Sequence, residues 1–195
     1  MVIGSWENIH CLHRPEDFFV IKKIIEEIKP KNTIELGTYF GGFTGILSDM
    51  VKPWGGIVHT FDVKKVKDNR IDEMLKRCGN VIFYEEDVIG KKRSKGIIKG
   101  VTNKKVVELI SDGIVALYCD NGDKNIELEI YAPYLNKGSI IGTHDYGTEC
   151  IIDRAEKFME KTGFKQFHHN KFAVLAHPVN YPHSLTRFWI REDIK

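Results

Sequence analysis

The sequence predicts an α/β fold: a doubly wound, mostly parallel sheet with helices on both faces and a C-terminal antiparallel hairpin. Three observations carry that expectation. Strand-like and helix-like runs alternate about five times along the chain, as in successive βαβ units. The strand-like runs are apolar on both alternating faces, as in parallel sheets covered by helices. Each of the five runs ends in acids, at the edge where ligands bind in such sheets. With 195 residues, a single domain spanning 1–195 can bury a sizeable core. No repeat, low-complexity tract or linker marks a second domain.

The elements follow in order. Pro15 suits the first turn of a helix, and Glu16 and Asp17 suit the positive end of its dipole. Phe18, Ile21, Ile25 and Ile28 then recur at helical spacing up to the break at Pro30. "NTIELG" is a first strand, "FTGILSDMVK" a helix, and "GGIVHTFDV" a second strand entered through a glycine turn. "RIDEMLKRCG" is amphipathic and stops at Gly79, before the third strand "NVIFYEED". A basic loop leads to the helix "NKKVVELIS" and the fourth strand "GIVALYCD". "NIELEIYAPYL" is helical for much of its length despite Pro133. "GSIIGTHDY" is the fifth strand, "IIDRAEKFMEKTG" a helix, and "FKQFHHNKFAVLAHP" a closing hairpin.

Composition narrows the function classes. Apolar residues make up 42%, charged residues 29%, and the net charge is +2. That is ordinary for a globular domain and does not by itself favour nucleic acid or a membrane. No apolar run approaches the ~18–20 residues of a bilayer span. The opening "MVIGSWENIHCLHRPED" lacks the basic and apolar regions of a secretion signal. Cys11, Cys78, Cys119 and Cys150 form no C-x-x-C pair, so neither a zinc cage nor a disulfide framework is expected. The expected setting is reduced and cytoplasmic.

The chemistry stands at the strand ends. They present Glu35, Gly37, Thr38, Gly41 and Gly42; then Asp62; then Glu86 and Asp87; then Asp120, Asn121 and Asp123; and last His144 and Asp145. A dinucleotide loop wants G-x-G-x-x-G, but here Tyr39 stands where the second glycine belongs. Glu35 would also repel a pyrophosphate at short range. No Lys-Ser or Lys-Thr pair follows, so a Walker loop is excluded as well. A cationic ligand without phosphate fits this set, and S-adenosylmethionine carries both an ammonium and a sulfonium. Asp62 is placed to accept hydrogen bonds from ribose hydroxyls, a role that would serve a nicotinamide cofactor equally. Asp87 is placed to receive the adenine amino group, or else to cap a turn. Gly41 and Gly42 make room for the ligand's amino-acid end, or else for close helix–strand packing.

These residues carry a family resemblance. "IELGTYFGG" followed by "HTFDV" resembles the first two motifs of class I S-adenosylmethionine-dependent methyltransferases. "RPEDFFVIKKIIEEIKPKNTIELGTYFGG" is similar to the P-E-D … K-P-x-x-x-I-E-x-G-T-x-x-G-G run of the cephalosporin hydroxylase and rhamnosyl O-methyltransferase family. "ALYCDNGDK…LNKGSIIGTHDY" resembles the fourth and fifth strand ends of that family and of macrolide-sugar O-methyltransferases. The resemblance implies a Rossmann-like sheet, S-adenosylmethionine as methyl donor and, in many members, magnesium. It places Glu35, Gly37, Thr38, Gly41, Asp62 and Asp87 in the cofactor pocket. It places Asp120, His144 and Asp145 where metal-dependent relatives keep their oxygen ligands. Residues after about 165 match no motif of the family.

Two departures stand out. This chain has D-N-G-D where relatives have D-G-D, so Asp120 and Asp123 compete for one role. His144 stands where relatives usually place a second carboxylate. An imidazole argues against magnesium or for a softer metal, or makes His144 the general base. Lys124 resembles the lysine that takes the acceptor proton in catechol-type enzymes, and reads equally as a surface lysine opening a helix. No oxygen-activating facial triad is visible, so hydroxylation carries little weight.

The remaining signals are weaker. Lys91, Lys92, Arg93, Lys95, Lys99, Lys104 and Lys105 form an acid-free basic run, read as a solvated loop or as a flap meeting an anionic acceptor. Trp6, His10 and His13 belong to an N-terminal segment (residues 1–30 with the first helix) that would serve as an acceptor lid. His168, His169, His177 and His183 match no ligand spacing. "YPHSLTRFWI" would pack an edge strand or a homo-oligomer contact. The expected function is an S-adenosylmethionine-dependent methyltransferase, methylating an oxygen of a small, sugar-like acceptor with a divalent metal such as Mg2+ assisting. A nucleic-acid or nucleotide methyltransferase using the basic run, and a non-catalytic S-adenosylmethionine-binding module, are the alternatives. No membrane partner is expected.

Overall fold

The computed structural model describes residues 4–13, 15–64, 69–90, 92–94, 97–99, 102–167 and 186–192. In chain order the elements are β1 (Gly4–Trp6), β2 (Ile9–Cys11), α1 (Pro15–Ile28), β3 (Asn32–Leu36), α2 (Gly42–Val51), β4 (Ile57–Asp62), α3 (Arg70–Arg77) and β5 (Val81–Glu85). There follow β6 (Lys92–Ser94), β7 (Ile97–Lys99), α4 (Lys104–Ile110), β8 (Val115–Cys119), α5 (Lys124–Tyr131), β9 (Ile140–Thr143), α6 (Ile152–Lys161), β10 (Phe164–Gln166) and β11 (Arg187–Arg191).

Seven strands form the central sheet in the order β10-β11-β9-β8-β3-β4-β5. The five strands from β9 to β5 run parallel, whereas β11 is antiparallel to both of its neighbours. The chain enters at β3, steps outward to β5, then returns to β8 and steps out the other way. Strand order therefore reverses between β3 and β8, and the crevice above their carboxyl ends is where this architecture binds ligands.

Alternation along the strands feeds two cores. Ile34, Leu36, Val115, Leu117 and Cys119 pack with Val106, Ile110, Leu128, Tyr131 and Met159 from α4, α5 and α6. Ala116 and Tyr118, pointing the other way, pack with Ile21, Ile24, Ile25, Leu47 and Val51 from α1 and α2. Each fully buried aliphatic side chain contributes roughly 1.5–3 kcal/mol of transfer free energy. Glu35 alternates with Ile34 and Leu36, so it faces the α1/α2 side. Every residue of β3, β8 and β9 is buried. β5 departs from the expectation of a strand covered on both faces: it is the sheet edge, and Ile82 is exposed.

Three elements were not legible in the sequence. β1 and β2 form a hairpin, closed by Glu7 and Asn8 at positive φ, a conformation suited to a tight two-residue turn. Its Trp6 indole N–H donates to Asp49 at 2.7 Å, and its ring covers Gly45. The basic run is not a plain loop, because β6 and β7 pair antiparallel within it; the side chains of residues 91–101, on which the flap reading depends, lie outside the described residues. The C-terminal hairpin begins at β10 as expected, but the partner strand is β11. β11 lies between β10 and β9 rather than at the edge. The expected return strand in "NKFAVLAHP", with His168, His169, His177 and His183, lies outside the described residues. No helix among the described residues is long and apolar enough to cross a membrane.

Candidate functional site

A cavity of about 520 Å³ opens at the switch point, within the ~300–1,000 Å³ typical of small-molecule sites. Its walls come from the β3–α2 loop, the ends of β4, β8 and β9, and the segment His10–His13, which ends the N-terminal hairpin and leads out of it. The two ends of this cavity differ in chemistry.

At the β3 end, Glu35 is fully enclosed. The hydroxyls of Thr44 and Thr60 both donate to its Oε2 at 2.5 Å, and the Thr38 hydroxyl is 2.6 Å from that of Thr60. Burial pushes the Glu35 carboxyl up to about 8, against the two hydroxyls that favour the ion. Such a carboxylate calls for a proton or a cation. Gly37 follows at φ 103, and a Cβ there would stand 2.5 Å from the Asp120 carbonyl oxygen. Only glycine lets β3 and β8 approach so closely at the crevice. The backbone N–H of Tyr39 donates to Asp62 Oδ2 at 2.9 Å, which ties the loop to the end of β4.

Not every glycine serves the cavity. Gly41 precedes α2 at φ 83, and a Cβ there would meet Met74; it is not among the lining residues. Gly42 does line the cavity, yet a Cβ on it would collide with the carbonyl of His10. Its bareness admits the N-terminal segment. Asp87 is exposed and also stands outside the lining. Its Oδ1 accepts the Ile89 N–H at 2.9 Å, the turn-capping arrangement. Glu86 likewise accepts from Asn103, the residue that caps α4. The acids after β5 thus organise the return of the chain, away from the switch point.

At the β8–β9 end the charges converge. Asp120 Oδ1 stands 3.4 Å from His144 Nδ1 and 3.5 Å from Lys124 Nζ, and its Oδ2 stands 3.5 Å from His13 Nε2. Asp145 Oδ2 is 3.3 Å from both His144 Nδ1 and Lys124 Nζ. Glu149 Oε2 approaches Lys124 at 2.5 Å. Of the two competing aspartates, Asp120 lines the cavity, whereas Asp123 precedes α5 and does not. Buried Glu127 braces the extended turn by accepting from the backbone N–H groups of Asn121 and Asp123.

The electrostatics assign charge states. Burial opposes the His144 imidazolium, but Asp120 and Asp145 outweigh it and hold the ring at about 9. Burial would raise the Asp145 carboxyl, yet His144 and Lys124 hold it near 2. Burial would likewise lower Lys124, and Asp120, Glu149 and Asp145 instead hold it above its ordinary range. Lys124 is therefore an ammonium clamped among three carboxylates.

Two residues beyond the expected ligand set complete this end. His13, expected only as part of a lid, is buried; its ring stacks on that of His144, with centroids 4.1 Å apart. Burial holds it well below the ordinary imidazole range, with the His144 charge adding to the effect. Glu149 carried no signal in the sequence beyond its charge. In charge, the cluster suits a divalent ion: Asp120, Asp145 and Glu149 against Lys124 and the His144 imidazolium leave −3 + 2 = −1, and release of the imidazolium proton as a cation binds leaves −2. In donor type it does not suit magnesium, which prefers oxygen throughout.

Comparison with known proteins identifies the family and the fold. Residues 2–183 match the family described as Rhamnosyl O-methyltransferase/CmcI. A CmcI structure with SAH superposes at a TM-score of 0.58 and 13% identity, covering 96% of this chain and 81% of that one. A CmcI structure with Mg-SAM gives 0.56 and 13%, over 84% of this chain and 68% of that one. A SAM-dependent O-methyltransferase from Thermotoga maritima gives 0.58 and 15%, over 93% and 66%. No curated protein matches the chain significantly. With the family match running nearly end to end over a sheet whose switch-point cavity holds Glu35 and Asp62, the chain belongs to the Rhamnosyl O-methyltransferase/CmcI family and is an S-adenosylmethionine-dependent methyltransferase.

Proposed function

We propose that this methyltransferase transfers its methyl group to a hydroxyl of a small, sugar-like acceptor, with a divalent cation assisting. The observation that carries this reading is the chemical polarity of the cavity. One end offers a lone buried carboxylate, and the other a carboxylate–imidazole–ammonium cluster. In the proposed arrangement Glu35 receives the donor's ammonium, whose charge replaces the proton that burial otherwise favours. Asp62 receives the ribose hydroxyls. Gly37 lets the cofactor lie against the backbone between β3 and β8.

The acceptor then sits between the sulfonium and the Asp120 end, in line for displacement at carbon. Asp120 and His144 are the residues we place on the cation, and Asp145 orients the His144 ring. A cation held there would lower the acceptor hydroxyl's pKa and fix its oxygen toward the methyl group. His144 thereby acts as a ligand rather than as the base. Lys124 keeps Asp120 and Asp145 ionised and in place. The hydroxyl's proton is released as the O–CH3 bond forms and S-adenosylhomocysteine departs; Glu149, half exposed, links the cluster to solvent.

Calorimetry of S-adenosylhomocysteine binding tests the donor end. Asp62→Ala should abolish binding, and wild-type-like binding by that variant would contradict the assignment. Methylation undiminished by EDTA would remove the cation from the reading.

A further inference from the structure

The cation reading above leaves open which ion the chain selects and what completes its ligand set. The described residues contain one group of side chains whose donor atoms all lie within 4.8 Å of one another: His13, Asp120 and His144. The three come from different parts of the chain, namely the turn after the N-terminal hairpin, the end of β8 and the end of β9. Both imidazoles are more than nine-tenths buried.

Several features make this a built site. Donor atoms bound to one ion at about 2.0–2.1 Å stand roughly 3.0–3.4 Å apart in octahedral or tetrahedral geometry. The contacts from Asp120 to His13 Nε2 and to His144 Nδ1 are 3.5 and 3.4 Å. Asp120 uses a different oxygen for each ring, so it bridges the edges of the stacked pair. His144 Nε2 is buried and has no hydrogen-bond partner. Nδ1 is the atom that faces Asp120 and Asp145, so a cation held by Asp120 would meet the lone pair of Nδ1 in the neutral ring, with the ring proton on Nε2. Outer contacts orient His13 as well: its Nδ1 is 3.4 Å from Cys11 Sγ. Its Nε2 is 3.2 Å from the Tyr118 hydroxyl, which has a second partner in Thr186 at 3.1 Å. The net −2 of the surrounding carboxylates and ammonium matches a dication.

Resting on the metal-assisted reading of the same cavity, we infer that His13, Asp120 and His144 bind a borderline transition dication of the zinc–cobalt–iron class, in place of magnesium. Two imidazoles and one carboxylate favour such ions over hard, oxygen-seeking ones. His13 rather than Asp145 is the third ligand, because its donor atom lies within 4.8 Å of those of both Asp120 and His144, in a group that Asp145 does not join. The N-terminal hairpin thereby becomes part of the active site, and Gly42 is bare so that His10 and its neighbours can reach it.

Cobalt(II) is the direct probe, since its visible absorption reports ligand number and type. Metal-free wild-type protein should bind one equivalent of cobalt, which zinc displaces and millimolar magnesium does not. His13→Gln and His144→Gln should each weaken cobalt binding by about tenfold or more, whereas Asp145→Asn should change it by less than about threefold. Thermal melts of each metal-free variant establish that it is folded before titration. Wild-type-like cobalt affinity in folded His13→Gln, displacement by magnesium, or a thiolate charge-transfer band implicating Cys11 would each overturn the proposal. S-adenosylhomocysteine titrated into metal-free wild type reads the methyl-donor assignment separately, so failure of one leaves the other standing.

Discussion

The two ends of the cavity are built on different principles. At the β3 end a single carboxylate is buried against neutral hydroxyls, so its charge is unmatched until a ligand arrives. At the β8–β9 end three carboxylates, an ammonium and two imidazoles satisfy one another to within two charges. The first is a vacancy shaped for a cation that comes and goes. The second is a preorganised cluster that fixes positions. Binding and chemistry are thereby separable, and substitutions should divide the same way.

Asp120→Ala should have the largest effect. It removes the carboxylate shared by His13, His144 and Lys124, and should lower kcat by about 10²–10⁴-fold. S-adenosylhomocysteine affinity should stay within about threefold of wild type by calorimetry. A comparable loss in both quantities would break the division.

Glu35→Gln should do the reverse, weakening S-adenosylhomocysteine by about ten- to a hundredfold, as expected when a buried charge partner is lost. Because the free carboxyl titrates at about 8, wild-type affinity should rise with pH below that value, by up to about tenfold per pH unit. Glu35→Gln should flatten the profile. Thr44→Val, which deletes one hydroxyl donor to Glu35, should weaken binding by a smaller factor, about three- to tenfold.

Stability against pH separates the ends again. The His144 ring is held at about 9, above its ordinary 6.5, so its contribution is fully present below pH 6.5 and is lost as pH rises through 9. Glu35 also keeps its proton longer in the folded state, so its contribution fades earlier, as pH rises from about 4.5 to 8. Melting temperatures of the metal-free protein should fall across both windows, by roughly 2–4 °C per kcal/mol. His144→Gln should remove the upper one and Glu35→Gln the lower.

The same contrast explains what could be read from the chain in advance. The β3 end is nearly contiguous: Glu35, Gly37 and Thr38 lie within four residues, and Asp62 is the one expected contact from elsewhere, although the hydroxyls on Glu35 come from Thr44 and Thr60. Local spacing therefore revealed it. The β8–β9 end is assembled from residues around 13, 120, 144 and 149, and nothing in one dimension announces that His13 stacks on His144. Asp87 shows the opposite limit. It stands at a strand end as Asp62 does, but β5 is the sheet edge, and there an acid caps a turn. The sheet itself was legible because its apolar runs and their helical spacers repeat. The N-terminal hairpin was not, because its turn, Glu7-Asn8, carries no glycine.

The central claim is that one cavity holds the methyl donor by Glu35 and Asp62 and presents it to the Asp120 cluster. A crystal structure with S-adenosylhomocysteine bound tests it most directly. The account predicts the ligand's amino group within hydrogen-bond distance of Glu35, its ribose hydroxyls on Asp62, and its sulfur facing the end lined by Asp120 and His144. A ligand seated outside this cavity, or reversed so that its adenine meets Glu35, would contradict it.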